Sequence, residues 1–258
     1  MKYVPRDLGE SAENSSGGGR RGLLREIAVL AGLTGCAVLL LYLLAGGVTD
    51  WAVARISPER EAAFFEGMFV AEFATPVPEE LEAKWQLAEA IFEKVQAAPG
   101  VVPLSYRLAY SPEPLPNAYA VPGGLVVLTR GLLESLQNEE VAIAFVLAHE
   151  LGHFVGRDHL QRLGRQIGFG SSMMLLTGGS GDAIIESVTG LLDLNYSRDE
   201  EMAADQFALQ SLDAVYGDRK GAERLFEILE ADSEVPTWAY MFLSHPANVE
   251  RIREIKGE

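Results

Sequence analysis

Two of the four histidines in this 258-residue chain flank a glutamate, in the string His149-Glu150-Leu151-Gly152-His153. On a helix, side chains four positions apart project from the same face, so both imidazoles can bind one metal ion. Glu150 lies about 100° around the helix from His149, which brings its carboxylate beside that ion. Neutral imidazole and carboxylate suit zinc, and a catalytic zinc site has three protein ligands and one open position. The string therefore predicts two zinc ligands and a general base.

Two residues can supply the third ligand, and they predict different enzymes. His159 completes H-E-x-x-H-x-x-G-x-x-H with Gly156, the metzincin pattern. That pattern also requires a methionine turn, for which Met173 and Met174 are the candidates. Glu201 instead forms E-x-x-x-D with Asp205 on a second helix, the gluzincin pattern. In that pattern Glu201 binds zinc, and Asp205 accepts a hydrogen bond from a ligand imidazole and fixes its tautomer.

Four ordered strings carry a family resemblance over about residues 80 to 256. They are Asn117-Ala118-Tyr119 with Pro122-Gly123-Gly124, His149 to His153, Ser197-Arg198 with Glu201, Ala204 and Asp205, and Ser244-His245-Pro246 with Arg251-Ile252. In these strings the sequence resembles the membrane-associated gluzincin peptidases, which include the HtpX-type heat-shock proteases and the CAAX prenyl endoproteases. The resemblance favours Glu201 over His159 as the third ligand.

The resemblance also implies a role for each matching residue. One zinc ion per chain binds His149, His153 and Glu201, and Glu150 acts as general base and then as proton shuttle. His245 lies near the oxyanion or behind the ligands, although a histidine before proline is also an ordinary turn residue. An extended substrate pairs as an added strand with Asn117, Ala118 and Tyr119. For Asn117, initiation of a turn is the alternative.

An uncharged segment of 22 residues runs from Ile27 to Val48. As a helix it is about 33 Å long, enough to cross a hydrocarbon core of about 30 Å. Arginines are concentrated before the segment, which predicts a cytoplasmic N-terminus and an extracytoplasmic remainder; they are Arg20, Arg21 and Arg25. Leu33-Thr34-Gly35-Cys36 resembles the box before a lipid-modified cysteine, but the apolar residues that follow favour an uncleaved span. Either alternative leaves the remainder outside the cytoplasm at a membrane.

Local patterns predict the elements that position these residues. Helices are expected from Pro58 to about Phe73, around Leu81 to Val95, from Asn138 past His153, and at about 184–193, 197–216, 219–231 and 247–256. Strands are expected at Leu104–Tyr110, Asn117–Val121 and Leu125–Thr129, with a Gly- and Ser-rich loop at 168–181. We expect an α+β, mainly α fold with one transmembrane helix. The family resemblance implies a zincin-like (minigluzincin) domain with a small β-hairpin sheet beside the H-E-x-x-H helix.

The predicted organisation is a flexible cytoplasmic tail (1–26), a transmembrane helix (27–49), a helical linker (50–79) and a zinc metallopeptidase domain (80–258). The chain has 37 acidic and 21 basic residues, a net charge of −16, which repels phosphate backbones and argues against nucleic acid as a partner. We expect a membrane-anchored zinc endopeptidase that cleaves unfolded or extended polypeptides in extracytoplasmic quality control. The alternatives are a zinc-stabilised polypeptide-binding or chaperone module and a three-histidine protease.

Overall fold

The computed structural model describes residues 20–65, 73–136, 139–166, 196–222 and 224–225, together with residues 245, 251, 253 and 255. Most of this part of the chain is helical, and the helices accompany one small sheet, so the predicted α+β, mainly α class is confirmed. The helices are α1 (Arg20–Val53), α2 (Pro58–Phe65), α3 (Glu82–Gln96), α4 (Arg130–Ser135), α5 (Glu140–Gly156), α6 (158–166) and α7 (Arg198–Tyr216). The strands are β1 (Arg107–Ser111), β2 (Ala118–Val121) and β3 (Leu125–Thr129).

Helix α1 contains the predicted membrane span. It has 34 residues, and its portion from Gly22 to Val53 is long and apolar enough to cross a membrane. None of the most apolar stretch is buried against the rest of the protein. The helix extends past both ends of the predicted span, because neither Arg25 nor Asp50 interrupts its backbone hydrogen bonding.

The sheet has the order β1-β3-β2, with β1 parallel and β2 antiparallel to β3. All five residues of the central strand β3 are buried. The predicted β2–β3 hairpin is confirmed, and its turn requires glycine because Gly123 and Gly124 have φ angles of +89° and +86°. Strand β1 begins at Arg107, three residues later than predicted, because the amides of Leu104 and Tyr106 bond to carbonyls two residues earlier instead of joining the ladder.

Two hydrophobic clusters include residues of the sheet. The larger one joins α3, α4, α5 and α7 to the sheet. The smaller one joins the end of α1 and α2 to the sheet and α6; its buried members are Val53, Phe65, Ala109, Val121, Leu125, Val127, Leu160 and Leu163. The segment that follows the predicted membrane span is therefore packed into the domain.

Four helices begin within two residues of their predicted starts: α2, α3, α5 and α7. Helix α7 begins after Ser197, whose side chain forms a reciprocal capping box with Glu200. Helix α5 begins after Glu139, without a side-chain cap, and Asn138 lies outside the described residues. Phe73, the predicted end of the helix that starts at Pro58, lies in a turn. The predicted loop at 168–181, the helix at 184–193 and most of those at 219–231 and 247–256 also lie outside the described residues.

Helices α5 and α7 are in close contact at Gly152. A Cβ atom added there would lie 2.8 Å from the Ala204 Cα and 3.1 Å from its Cβ and carbonyl oxygen. Real carbon atoms do not approach so closely, so a side chain at this position must move one of the two helices.

We predict that Gly152→Ala lowers the melting temperature of the detergent-solubilised protein by roughly 2–12 °C, because overpacking costs about 1–3 kcal/mol. The matched control is Gly32→Ala in α1, where a Cβ meets nothing within 4 Å. Thermal unfolding followed by circular dichroism compares the two variants. Equal melting temperatures for both variants and the wild type would show that the helices are not in tight contact at Gly152.

Candidate metal centre

Helix α5 presents His149 and His153 from one face, and both side chains are buried. Each imidazole has a carboxylate behind it: the His149 Nδ1 is 2.8 Å from Asp205 Oδ1, and the His153 Nδ1 is 2.9 Å from Asp158 Oδ2. These contacts place the N–H on Nδ1 in both rings and leave the Nε2 lone pairs free for another partner. The two Nε2 atoms face each other at 3.1 Å.

Helix α7 brings Glu201 to the same point. Its carboxylate oxygens lie 3.6 Å from the Nε2 atoms of His149 and His153. Burial opposes ionisation, but His245, His149 and Arg251 hold the pKa of Glu201 below its ordinary value. The carboxylate is therefore charged and available as a ligand.

Arg251 balances the acidic side of the centre. Its Nη1 lies 2.6 Å from Glu201 Oε2, and its Nε and Nη2 donate to the two oxygens of Asp205 at 2.5 and 2.9 Å. Burial would raise the pKa of Asp205, but the hydrogen bonds from His149 and Arg251 lower it. One guanidinium thus fixes two carboxylates of α7, and the sequence indicated only that Arg251 belongs to a matching string.

His245 completes the cluster. Its Nδ1 lies 2.9 Å from Glu201 Oε1 and 3.2 and 3.3 Å from the Nε2 atoms of His149 and His153. Its Nε2 donates to the carbonyl oxygen of Ala118 at 3.2 Å. The sequence predicted a position near the oxyanion or behind the ligands, whereas the structure places the ring among the possible ligands.

The four buried groups fit a metal ion. One ligand atom from each of His149, His153, Glu201 and His245 lies within 4.8 Å of the others. With Nδ1–H directed at a carboxylate in both α5 histidines, two nitrogen lone pairs point at each other and repel unless a cation lies between them. Burial keeps the pKa of His153 well below its ordinary value, which favours the neutral ring that a metal requires. Imidazole and carboxylate donors in this number are those that zinc prefers.

Glu150 lies beside the cluster with a buried side chain. Its Oε1 is 3.4 Å from His245 Nε2, and its Oε2 has no hydrogen-bond partner in the described part of the chain. Burial raises the pKa of Glu150 above its ordinary value, and the neighbouring histidines offset only part of that effect. A carboxylate with a raised pKa and a free oxygen can accept a proton and give it back.

Two further residues around His153 were not identified from the sequence. Asp158 holds its Nδ1, and the Tyr196 ring stacks on the imidazole with centroids 3.7 Å apart and planes within 10°. The guanidinium of Arg162 lies 3.7 Å from the Tyr196 ring centroid. Asp158 lies five residues after His153, just beyond the end of α5. Its contact with His153, unlike that of Tyr196, could therefore have been inferred from the spacing in the sequence.

His159, the alternative third ligand, lies outside the cluster. Its Nε2 donates to Glu61 Oε1 at 2.8 Å, and its Nδ1 lies 3.2 Å from the His153 carbonyl oxygen. The helix does end after Gly156, as the three-histidine pattern expects, but α6 starts at once and carries His159 to the other side of the His153 backbone.

The predicted substrate residues lie at the start of β2. The backbone of Asn117 is fixed by Thr129, whose Oγ1 accepts from the Asn117 amide at 2.8 Å. The Ala118 carbonyl points at His245, while Tyr119 packs against Phe73. Strand β2 pairs with β3 along one edge. Its other edge contacts the cluster at Ala118.

Comparison with known proteins agrees with this geometry. The sequence profile of peptidase family M48 matches residues 83–258. The mitochondrial metalloendopeptidase OMA1 of Schizosaccharomyces pombe is 30% identical over 173 residues, which cover 64% of this chain and 50% of that protein. The metalloprotease YcaL of Escherichia coli is 28% identical over 161 residues, 60% of this chain and 61% of YcaL. OMA1 of Arabidopsis thaliana is 28% identical over 127 residues, covering 49% of this chain and 26% of that protein.

We predict that Glu201→Ala abolishes tight zinc binding, whereas His159→Ala retains one zinc ion per chain. Removing Glu201 takes away the carboxylate that faces both α5 histidines, but His159 contacts no ligand atom of the cluster. Asp205→Ala should fall between them, with zinc affinity about 10–100-fold weaker, because Asp205 orients a ligand without binding the metal.

The measurement is metal content of the purified variants, followed by competition with a zinc chelator. Loss of zinc in His159→Ala together with its retention in Glu201→Ala would identify a three-histidine site.

Proposed function

The chain belongs to peptidase family M48, and on that premise we propose that it is a membrane-anchored zinc endopeptidase with a zincin-like (minigluzincin) domain. Zinc is the family's metal. The observation that carries the proposal is the position of the buried Glu150, beside the four possible metal ligands. One of its carboxylate oxygens has no hydrogen-bond partner in the described residues. The chain spans about half the length of the relatives it matches, so their activities support the proposal without defining it.

His149, His153 and Glu201 would hold the ion. Zinc in such a site supplies a Lewis acid that polarises the scissile carbonyl and makes water a stronger acid. Glu150 accepts a proton from the attacking water and then transfers it to the nitrogen of the leaving amine. Its raised pKa brings it nearer to neutral pH, where a group both takes and returns a proton efficiently.

We assign His245 the stabilisation of negative charge on the substrate. Its Nε2–H donates to the Ala118 carbonyl oxygen 3.2 Å away, and a substrate amide that bonds to this carbonyl would free the N–H for the reacting carbonyl. Glu201 and Glu150 raise the pKa of His245 against the lowering effect of burial, which favours the proton-donating form of the ring. A donor held beside the reacting carbonyl is worth most in a site without water.

An extended polypeptide would bind along the outer edge of β2. The Ala118 carbonyl is directed at the cluster, so it can accept a hydrogen bond from a substrate amide in strand addition. Because backbone groups do most of this binding, the site should accept many sequences in extended or unfolded chains. This breadth supports a role in protein quality control, with Asn117 and Tyr119 flanking the contact.

A zinc-stabilised polypeptide-binding module is the second candidate. It is favoured by the fourth donor, His245, because structural zinc sites have four protein ligands and no open position. Such a module needs only ligands, whereas Glu150 is buried beside the cluster at a cost in desolvation. The peptidase requires Glu150 for proton transfer, whereas in the binding module Glu150 would affect only folding.

We predict that Glu150→Gln binds zinc and folds but loses proteolysis by about 10²–10⁴-fold, since an amide cannot accept the proton of water. Cleavage of casein or a fluorogenic peptide by the detergent-solubilised protein measures the effect. Glu140→Gln is the control, with the same substitution at the exposed start of α5, where the loss of an ion pair with Lys94 costs little. Near wild-type cleavage by Glu150→Gln would favour the binding module.

We further propose that the catalytic domain lies outside the cytoplasm, with α1 crossing the membrane between residues 27 and 49. The proposal is supported by the arginines before the span. A protease added to sealed spheroplasts should digest the region after Trp51, and a reporter fused at Glu258 should be active only outside the cytoplasm. Protection of the domain in sealed cells, with digestion after lysis, would reverse the orientation.

A further inference from the structure

A buried ionic cluster lies at the end of α5 and shares no residue with the candidate metal centre. Its central residue is Glu61 of α2, whose side chain is 2% exposed. Among the described residues, its carboxylate accepts from the His159 Nε2 at 2.8 Å, the Arg157 Nη2 at 3.0 Å and the Gly123 amide at 3.1 Å. The proposed reaction uses none of these groups.

The donors come from different parts of the fold. Arg157 is the residue at which α5 ends, in a left-handed conformation with φ +60°, and its Nη1 also donates to the Ile56 carbonyl at 2.7 Å. His159 is in α6 and touches the His153 carbonyl. Gly123 is in the turn of the β2–β3 hairpin. One carboxylate therefore joins the metal-binding helix and the hairpin to the segment that follows α1.

A second contact binds α2 to the same turn. A Cβ atom added to Gly123 would lie 2.8 Å from the Phe65 Cβ. The backbone of the turn therefore packs directly against α2, without room for a side chain. Phe65 and Val121 are both buried in the smaller hydrophobic cluster. The hairpin turn is thus fixed by a hydrogen bond to Glu61 on one side and by packing against Phe65 on the other.

We propose that Glu61 is a positioning residue, which holds strand β2 at the correct distance from the metal centre by fixing the hairpin turn to the end of α5. The inference rests on the proposed function, because the quantity that Glu61 controls is the binding of an extended peptide along β2. The strand has only four residues, from Ala118 to Val121, so a shift at its turn end is transmitted to Ala118 at the cluster.

Substitution of Glu61 leaves charged donors without their acceptor, so the cluster should be sensitive to changes at this residue. In Glu61→Ala, the buried His159 and the partly buried Arg157 and Gly123 amide lose an acceptor, and the turn is released. In Glu61→Gln the side chain keeps its size and one oxygen for the Gly123 amide but loses its charge. The two variants therefore form a graded series, and Glu59→Gln, on the exposed side of the same helix, is the matched control.

The test is steady-state cleavage of an extended fluorogenic peptide by full-length protein in detergent, with zinc content measured in parallel. Glu61→Ala should keep one zinc ion and raise KM by about 10-fold or more with kcat within about threefold, because the ligands and Glu150 are untouched. Glu61→Gln should lie between Glu61→Ala and the wild type, and Glu59→Gln should match the wild type. A purely structural defect removes active molecules instead and lowers kcat at constant KM.

Hydrogen–deuterium exchange gives a second readout that needs no activity and serves if only Glu61→Gln can be purified. Exchange in residues 118–125 should be faster in the Glu61 variants than in Glu59→Gln. Wild-type KM together with wild-type exchange in the Glu61 variants would overturn the inference while leaving the proposed function intact, provided that Glu150→Gln is inactive. If the wild type and Glu150→Gln cleave alike, the proposed function fails, and the exchange data alone decide whether Glu61 positions the hairpin.

Discussion

The metal centre depends on how closely two helices approach. At Gly152 the backbone of α5 lies against the backbone of Ala204 in α7, without room for a side chain. This contact brings Glu201, three residues before Ala204, within 3.6 Å of both α5 histidines. The same contact lets Asp205, one residue after it, reach His149. Gly152, within the H-E-x-x-H string, is thus as important to the geometry of the cluster as the two histidines of the string.

Close packing also creates an electrostatic problem, which the structure solves locally. Four carboxylates are buried within one small region, those of Glu150, Asp158, Glu201 and Asp205. Charged groups are costly to bury unless each one has a partner. Arg251 pairs with Glu201 and Asp205, and the space between the imidazoles suits a divalent cation. For Glu150 and Asp158 burial outweighs the effect of their neighbours, so the pKa of each is raised, and for Glu150 this is the direction that proton transfer requires.

Local patterns predicted the parts of this arrangement that neighbouring residues determine. The spacing of His149 and His153, the start of α7 and the glycines of the hairpin turn each follow from short-range geometry. The contacts of Arg251, the stacking of Tyr196 on His153 and the burial of Glu61 were beyond such patterns, because each joins residues at least 43 positions apart. Similarly, His159 fits a three-ligand string by spacing, and only the direction of α6 shows that it faces Glu61 instead.

The distance along the chain between Arg251 and its partners also governs when the site can form. Ribosomes synthesise α7 well before Arg251, which follows Asp205 by 46 residues. Until that guanidinium is available, packing α7 onto α5 would bury Asp205 and Glu201 without their counter-ion, and the penalty opposes closure of the helix pair. A nascent chain that has emerged only as far as α7 therefore lacks a stable metal centre. The order of synthesis therefore delays the proposed hydrolytic activity until Arg251 reaches Glu201 and Asp205.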